Sequence, residues 1–123
     1  MSSTILVLDD SPTMVMSLSR ILQKSGYAVV TAANGKDGLE KLKSGTRPSL
    51  ILTDLNMPVM DGITFIKEAR KNSTTRFTPI VVLTTESMPG KRDEARSAGA
   101  SGWLTKPTPP DELLATLKQL LPS

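Results

Sequence analysis

The chain has 123 residues and a formal net charge of +3 at pH 7, which fits one domain spanning residues 1–123. It contains no cysteine and no histidine, so disulfide frameworks and zinc sites are excluded. Aromatic residues make up 3% of the chain and none is interleaved with a basic stretch, which argues against a nucleic-acid partner. No targeting segment and no long apolar span is recognisable, so we expect a cytoplasmic protein without membrane insertion.

Five short apolar runs predict buried β-strands, since they lack the polar alternation of half-exposed strands. They lie at residues 5–8, 28–31, 50–53, 80–83 and 102–104. Helical periodicity fills the gaps, with predicted helices beginning near Ser11, Lys36, Asp61, Ser87 and Pro109. The alternation with short connections predicts a doubly wound (βα)₅ fold with a five-stranded parallel sheet.

Two details of the helices are also predicted from the sequence. The fourth helix has a thin apolar face and contains Gly90, so we expect it to be the least stable of the five. Thr108 and Asp111 resemble a capping box at the start of the fifth helix, with aspartate in place of the usual glutamate or glutamine.

Polar residues follow four of the predicted strands. Asp9 and Asp10 follow the first, Asp54 the third, Thr84 the fourth and Lys106 the fifth. Ligands of such folds bind outside the carboxyl ends of the strands, so we expect these side chains to meet at one edge of the sheet.

Three carboxylates at one edge need positive charge nearby. Two carboxylates about 4 Å apart repel by roughly 4 kcal/mol at an effective dielectric constant of 20. Lys106 neutralises one charge, and Mg²⁺ is the natural further partner because it prefers hard oxygen ligands. Asp54 is the best candidate nucleophile for forming an acyl phosphate, with Thr84 and Lys106 contacting the phosphoryl oxygens.

Each of these residues has a structural alternative. Asp9 and Asp10 could merely stabilise the next helix through its dipole. Asp54 could begin a turn, Thr84 could be an ordinary strand end, and Lys106 could be a solvated lysine. Their joint placement at one sheet edge favours the functional interpretation.

Four motifs occur in a fixed order along the chain. They are the acidic pair Asp9-Asp10, the string DLNMPVMDG at residues 54–62, the strand end at Thr84 and the string GASGWLTKP at residues 99–107. Over the whole chain they resemble response-regulator receiver domains of bacterial two-component signalling, and most closely the stand-alone chemotaxis receivers of the CheY type. The resemblance implies a flavodoxin-like fold and a single receiver domain with no effector domain.

The resemblance also implies a metal site. Asp54 would be the phosphoacceptor and would bind Mg²⁺ together with Asp10. Asn56 would contribute its backbone carbonyl, and Asp9 would act through a metal-bound water.

The same resemblance assigns the residues that transmit and tune the signal. Thr84 would reach the phosphoryl group, and Lys106 would pair with it just before a cis bond to Pro107. Trp103 occupies the switch position, where tyrosine or phenylalanine is usual. Asn56 and Glu86 occupy the positions that tune self-dephosphorylation.

The implied function is a phosphorylation-activated switch rather than an enzyme with an external substrate. A histidine kinase would donate the phosphoryl group, and a phosphatase is a further partner. The output protein, in chemotaxis the flagellar motor switch, would bind the face around Trp103. A phosphate sink and a phosphorelay intermediate are alternatives within the same class.

Two alternatives come from other classes. A small aspartyl-phosphate phosphohydrolase would place its nucleophile after the first strand with a second acid two residues on, but residue 11 is Ser11. A flavodoxin-like cofactor binder needs a phosphate-cradling loop after the first strand, where Asp9 and Asp10 would repel the phosphate.

Overall fold

The computed structural model describes residues 3–121, in which strands and helices alternate. The strands are β1 (Thr4–Leu8), β2 (Ala28–Ala32), β3 (Leu50–Thr53), β4 (Ile80–Thr84) and β5 (Gly102–Thr105). The helices are α1 (Pro12–Lys24), α2 (Gly35–Lys43), α3 (Gly62–Lys71), α4 (Pro89–Ala98) and α5 (Pro110–Leu120). Every predicted strand is present, and each observed strand is at most one residue longer than its predicted range.

The five strands form one parallel sheet in the order β2-β1-β3-β4-β5. Leu8 at the end of β1 pairs with Thr53 at the end of β3, and Thr84 pairs with Thr105 at the ends of β4 and β5. All five carboxyl ends therefore lie at one edge, as the predicted doubly wound fold requires, although β4 and β5 extend two residues beyond β3, whose Thr53 pairs with Val82.

Helices cover both faces of the sheet, and each face has its own apolar core. Alternate residues of β1 point to opposite faces, so Leu6 packs beneath α2, α3 and α4 while Ile5 packs beneath α1 and α5. Both residues are fully buried. Burial on both faces explains why the strands appear in the sequence as nearly continuous apolar runs. No helix within residues 3–121 combines the length and the apolar character needed to cross a bilayer.

Helices α1, α3 and α5 begin within one residue of the predicted positions, but the capping box predicted for α5 is not formed. The Ser11 hydroxyl accepts a hydrogen bond from the Met14 N–H at 3.3 Å and so caps α1. The predicted capping box of α5 is wrong, because Pro109 is the N-cap and makes no side-chain cap bond. The Thr108 hydroxyl instead donates to the Thr105 carbonyl at 2.8 Å, which closes the preceding turn.

The loop from β3 to α3 contains a strained residue. Val59 has φ of 70°, the only positive φ at a non-glycine position in residues 3–121. The Met60 N–H donates to the Pro58 carbonyl at 2.7 Å, so Val59 is the centre of a tight three-residue turn. A β-branched residue in this conformation costs on the order of 1–3 kcal/mol. The Gly35 N–H donates to the Met60 carbonyl at 3.1 Å and holds the turn against α2.

Replacing Val59 with glycine is expected to stabilise the protein by about 1 kcal/mol. The strain relieved exceeds the added chain entropy of glycine in the unfolded state, and the valine side chain is 76% exposed, so little packing is lost. Urea unfolding measures the change. Val59→Ala, which keeps a Cβ atom, should gain less than Val59→Gly, and a loss of stability in Val59→Gly would contradict the assignment of strain.

Candidate functional site

The three predicted carboxylates lie together at the carboxyl edge of the sheet. One carboxylate oxygen from each of Asp9, Asp10 and Asp54 lies within 4.8 Å of the others. The strand register explains this meeting: Leu8 and Thr53 are paired neighbours, so the residues that follow them leave adjacent strands at the same level. The Asp54 N–H continues the ladder by donating to the Leu8 carbonyl at 2.9 Å.

Lys106 reaches this cluster from the end of β5. Its ammonium nitrogen lies 2.7 Å from Asp9 Oδ2 and 3.1 Å from Asp54 Oδ2. The three side chains are 11%, 3% and 12% exposed, so both ion pairs are shielded from bulk water. The Lys106 N–H donates to the Thr84 carbonyl at 2.8 Å, and the following peptide bond to Pro107 is cis, as expected.

Backbone N–H groups fix the carboxylates that Lys106 bridges. Asp9 Oδ1 accepts from the Ser11 N–H at 2.9 Å, and Asp54 Oδ1 accepts from the Leu55 N–H at 2.7 Å. Each of these carboxylates therefore has one oxygen on the backbone and one on Lys106. Asp10 is exposed and faces solvent. The donor set consists of hard carboxylate oxygens with one member open to solvent, which fits Mg²⁺.

The cluster keeps a net negative charge, because three carboxylates face one ammonium group. Burial acts to lower the pKa of Lys106, but the hydrogen bond to Asp9 and the attraction of both carboxylates outweigh it, so its pKa is raised. Because this pKa is raised, the contribution of Lys106 to the stability of the folded state is complete at any pH below the ordinary lysine pKa. That contribution is lost only in more alkaline solution. Lys106 is therefore fully charged at neutral pH.

The remaining predicted residues lie on β4 and β5 and in the loops that follow β3 and β4. Thr84 is fully buried, and its hydroxyl oxygen accepts from the Glu86 N–H at 3.2 Å. Trp103 is partly buried against the core under α4, and its indole N–H donates to the Thr105 hydroxyl at 3.3 Å. Asn56 lies exposed in the loop after β3. Within residues 3–121, the side chains of these four residues make no hydrogen bond to the three carboxylates.

Gly62 also positions the site, a role that the sequence did not reveal. A Cβ atom there would overlap the Asp54 carbonyl oxygen and lie 2.9 Å from Leu55 Cα. The first turn of α3 therefore packs directly on the backbone that carries Asp54. Asp61, just before Gly62, is the N-cap of α3 and accepts a hydrogen bond from the Thr64 N–H at 2.8 Å.

Removing the Lys106 ammonium should destabilise the protein at neutral pH. Lys106→Met leaves two poorly exposed carboxylates without their cation, at a cost of about 2 kcal/mol, below that of a fully buried pair because Asp54 is partly open to water. The deficit should be complete at neutral pH and shrink only in alkaline solution, because the raised pKa keeps the parent's Lys106 charged beyond the ordinary lysine pKa. Added Mg²⁺ should also reduce it at neutral pH. Thermal unfolding between neutral and alkaline pH, and at neutral pH with added Mg²⁺, measures both effects.

Lys91→Met is the matched control. Lys91 pairs with Glu94 at 3.6 Å on the surface of α4, and an exposed pair of this kind contributes at most about 0.5 kcal/mol. A Lys106→Met deficit that is no larger than that of Lys91→Met, or that does not depend on pH, would contradict the electrostatic role.

Comparison with known proteins places this geometry in context. The family model described as the response regulator receiver domain matches residues 5–118. Protein PilH of Pseudomonas aeruginosa is 33% identical over 117 residues, which are 95% of this chain and 96% of PilH. The solved structure of chemotaxis protein CheY4 of Vibrio cholerae is 44% identical, with a TM-score of 0.93 over 98% of this chain and 100% of that chain.

A third similar protein was solved with a metal ion. It is the receiver domain of sensor histidine kinase PA1611 from Pseudomonas aeruginosa, which has a magnesium ion coordinated in its active-site cleft. That chain is 30% identical, with a TM-score of 0.86, and the match covers 98% of both chains.

Proposed function

The chain belongs to the response regulator receiver domain family, and we propose that it is a switch activated by phosphorylation of Asp54. The observation that carries the proposal is the Asp54 carboxylate, which shares the Lys106 ammonium with Asp9 and lies in one carboxylate cluster with Asp10. An acyl phosphate formed there would meet a cation already in place.

Asp54 is a better phosphoacceptor than either of the other carboxylates. Asp9 is 3% exposed, so a donor would reach it less easily than Asp54, which is 12% exposed. Asp10 is exposed but makes no ion pair with Lys106, so negative charge developing on it would be less well neutralised. Asp54 combines access with a nearby ammonium group.

The proposed reaction is a displacement at phosphorus. A carboxylate oxygen of Asp54 attacks the phosphorus of a phosphohistidine on the donor kinase and forms a P–O bond as the P–N bond breaks. The imidazole leaves with the electron pair of the broken bond and takes up a proton from solvent. The phosphoryl group then stays on Asp54 until water removes it, so no external substrate is turned over.

Mg²⁺ is the cofactor that we propose for this step. Asp10 and Asp54 would hold it by their carboxylates and Asn56 by its backbone carbonyl, a hard-oxygen set that leaves room for water. When bound, Mg²⁺ supplies positive charge that lowers the repulsion between the cluster and an incoming phosphoryl group. The magnesium ion in the cleft of the PA1611 receiver domain supports this assignment.

The proposed output surface is the face formed by α4, β5 and α5. Ala95 is the only buried residue of α4, and the N-cap of that helix, Met88, makes no side-chain cap bond. A helix held so weakly can shift when Thr84 turns toward a phosphoryl group. Trp103 lines a cleft of about 150 Å³ together with Arg92 and Arg96, an arrangement suited to a protein partner.

The partner class follows from the similar proteins. CheY4 is named as a chemotaxis protein, so we propose a chemotaxis-type pathway with a histidine kinase as donor. The flagellar motor switch is the proposed output partner. Glu86 and Asn56 are proposed to tune the lifetime of the phosphoryl group.

The phosphoacceptor is tested by labelling with acetyl phosphate and Mg²⁺. Asp54→Asn is expected to lose the label, because the amide is a poor nucleophile and its acyl phosphate cannot form. Intact-mass measurement followed by peptide mapping locates the phosphoryl group. Retention of a hydroxylamine-sensitive phosphate at the parent rate in Asp54→Asn would refute the assignment.

Asp10→Ala is the companion variant for the metal. Loss of one carboxylate ligand is expected to weaken Mg²⁺ binding at least about tenfold, while labelling recovers at high Mg²⁺ concentration. Asp37→Ala serves as the control. Asp37 lies in the first turn of α2, where its carboxylate accepts a hydrogen bond from the Ala33 N–H, and it is not part of the carboxylate cluster. Equal Mg²⁺ affinity in Asp10→Ala and the parent would exclude Asp10 as a ligand.

The path to the output face is tested through the single tryptophan. Phosphorylation of the parent is expected to change Trp103 fluorescence, because Trp103 packs beside α4. Thr84→Ala should accept the label at a similar level but show a smaller fluorescence change, since the hydroxyl that would contact the phosphoryl group is gone. An unchanged response in Thr84→Ala would remove Thr84 from the path.

A further inference from the structure

An aromatic side chain is exposed at the edge of the sheet opposite Asp54. Phe77 lies in the loop between α3 and β4, three residues before β4 begins, and is 89% exposed. Asp54 follows β3 at the carboxyl edge, so the two residues lie at opposite ends of the sheet. None of the proposed steps at Asp54 uses Phe77.

The loop that carries Phe77 is held in place by a network of hydrogen bonds. The Arg70 guanidinium donates to the carbonyl oxygens of Thr75, Arg76 and Thr78 at 2.8, 3.2 and 2.6 Å. It also donates to the Gly99 carbonyl at 2.7 Å, which ties the loop to the end of α4. Thr75 is fully buried, and its hydroxyl donates to the Ala69 carbonyl. Phe77 is therefore presented to solvent by an ordered loop.

Basic residues lie at the same edge of the sheet as Phe77. Arg76 precedes Phe77 in the loop before β4, and Arg47 lies in the loop before β3, the strand that pairs with β4. Lys43 is the last residue of α2, which packs beside α3. Lys43, Arg47, Arg76 and Phe77 are all exposed, and we call these four residues the Phe77 patch.

The charges of the Phe77 patch are not neutralised by ion pairs within residues 3–121. None of its three cations forms an ion pair there. Glu68, near the end of α3, already pairs with Lys71 at 2.9 Å. The helix dipole accounts for Lys43 at the end of α2, but Arg47 and Arg76 lie in loops, where that explanation does not apply.

We propose that the Phe77 patch is a docking surface for an acidic segment of a partner protein, separate from the face around Trp103. Aromatic and arginine side chains are enriched in protein–protein interfaces, and an anchor that is already ordered loses little entropy on binding. Arginine forms paired hydrogen bonds with carboxylates, so Arg47 and Arg76 favour glutamate or aspartate on the partner.

Two other classes of partner fit the patch less well. Stable binding to a bilayer surface requires a broad apolar face, and the patch offers a single aromatic side chain. Single-stranded nucleic acid requires successive aromatic platforms, which a single phenylalanine does not provide. An acidic peptide with a small apolar centre matches the observed charge and the size of the anchor.

The probe is a fluorescein-labelled peptide with two central leucines and three glutamates on each side. Fluorescence anisotropy measures its affinity for the full chain at 150 mM NaCl, an ionic strength that suppresses weak nonspecific attraction. Phe77→Ser and Arg76→Glu are each expected to weaken binding about tenfold. Met16→Ser is the matched control, because Met16 is also exposed, at 58%, but lies on α1.

Amide chemical shifts of the labelled protein locate the peptide. Binding at the patch should shift residues 43–47 and 71–78 more than residues 91–103. Phe77→Ser should keep the parent melting temperature and the parent rate of acetyl-phosphate labelling, because Phe77 packs on little and lies far from Asp54. These two measurements distinguish loss of the anchor from loss of the fold.

Several outcomes would overturn the proposal. They are absence of measurable peptide binding, equal affinity in the parent and Phe77→Ser, and shifts centred on Trp103. Sedimentation with vesicles of phosphatidylserine and phosphatidylcholine that depends on Phe77, without peptide binding, would reassign the patch to a membrane surface.

Discussion

The site depends on the contact of one ammonium group with two carboxylates. Lys106 lies 2.7 Å from Asp9 and 3.1 Å from Asp54, and all three side chains are shielded from bulk water. Without this cation, carboxylates held so close would repel strongly. The same contact links the carboxyl ends of β1, β3 and β5, so Asp54 is joined by an ion pair to the residue that follows the strand of Trp103.

The rest of the fold holds the members of this contact in position. The register that pairs Leu8 with Thr53 sets Asp9 beside Asp54, and backbone N–H groups fix the orientation of both carboxylates. Gly62 lets α3 approach the Asp54 backbone more closely than any side chain would permit. Rigid support around the acidic cluster contrasts with α4, whose only buried residue is Ala95. The proposed switch would use this contrast, with a fixed site and a movable helix beside it.

Local rules worked where the determining contact was local, and failed where a competing contact was available. Ser11 caps α1 as expected, because the hydroxyl and the N–H that it accepts from are three residues apart. Thr108 had the same local pattern, but its hydroxyl donates to the Thr105 carbonyl in the turn before α5. The strain at Val59 was not predicted either, because its φ is set by a loop held against α2.

The sequence by itself determined the alternation of strands and helices, the parallel sheet, and the set of polar residues at its carboxyl edge. These follow from hydrophobic periodicity and from residues that directly follow each strand, both of which are properties of short segments. Only the tertiary structure decided that Lys106 bridges Asp9 and Asp54 while Asp10 faces solvent. It also decided that Arg70 donates hydrogen bonds to carbonyl groups of the Phe77 loop and of the end of α4. Such contacts join residues far apart in the chain, and their partners are chosen by packing and burial that a linear pattern does not encode.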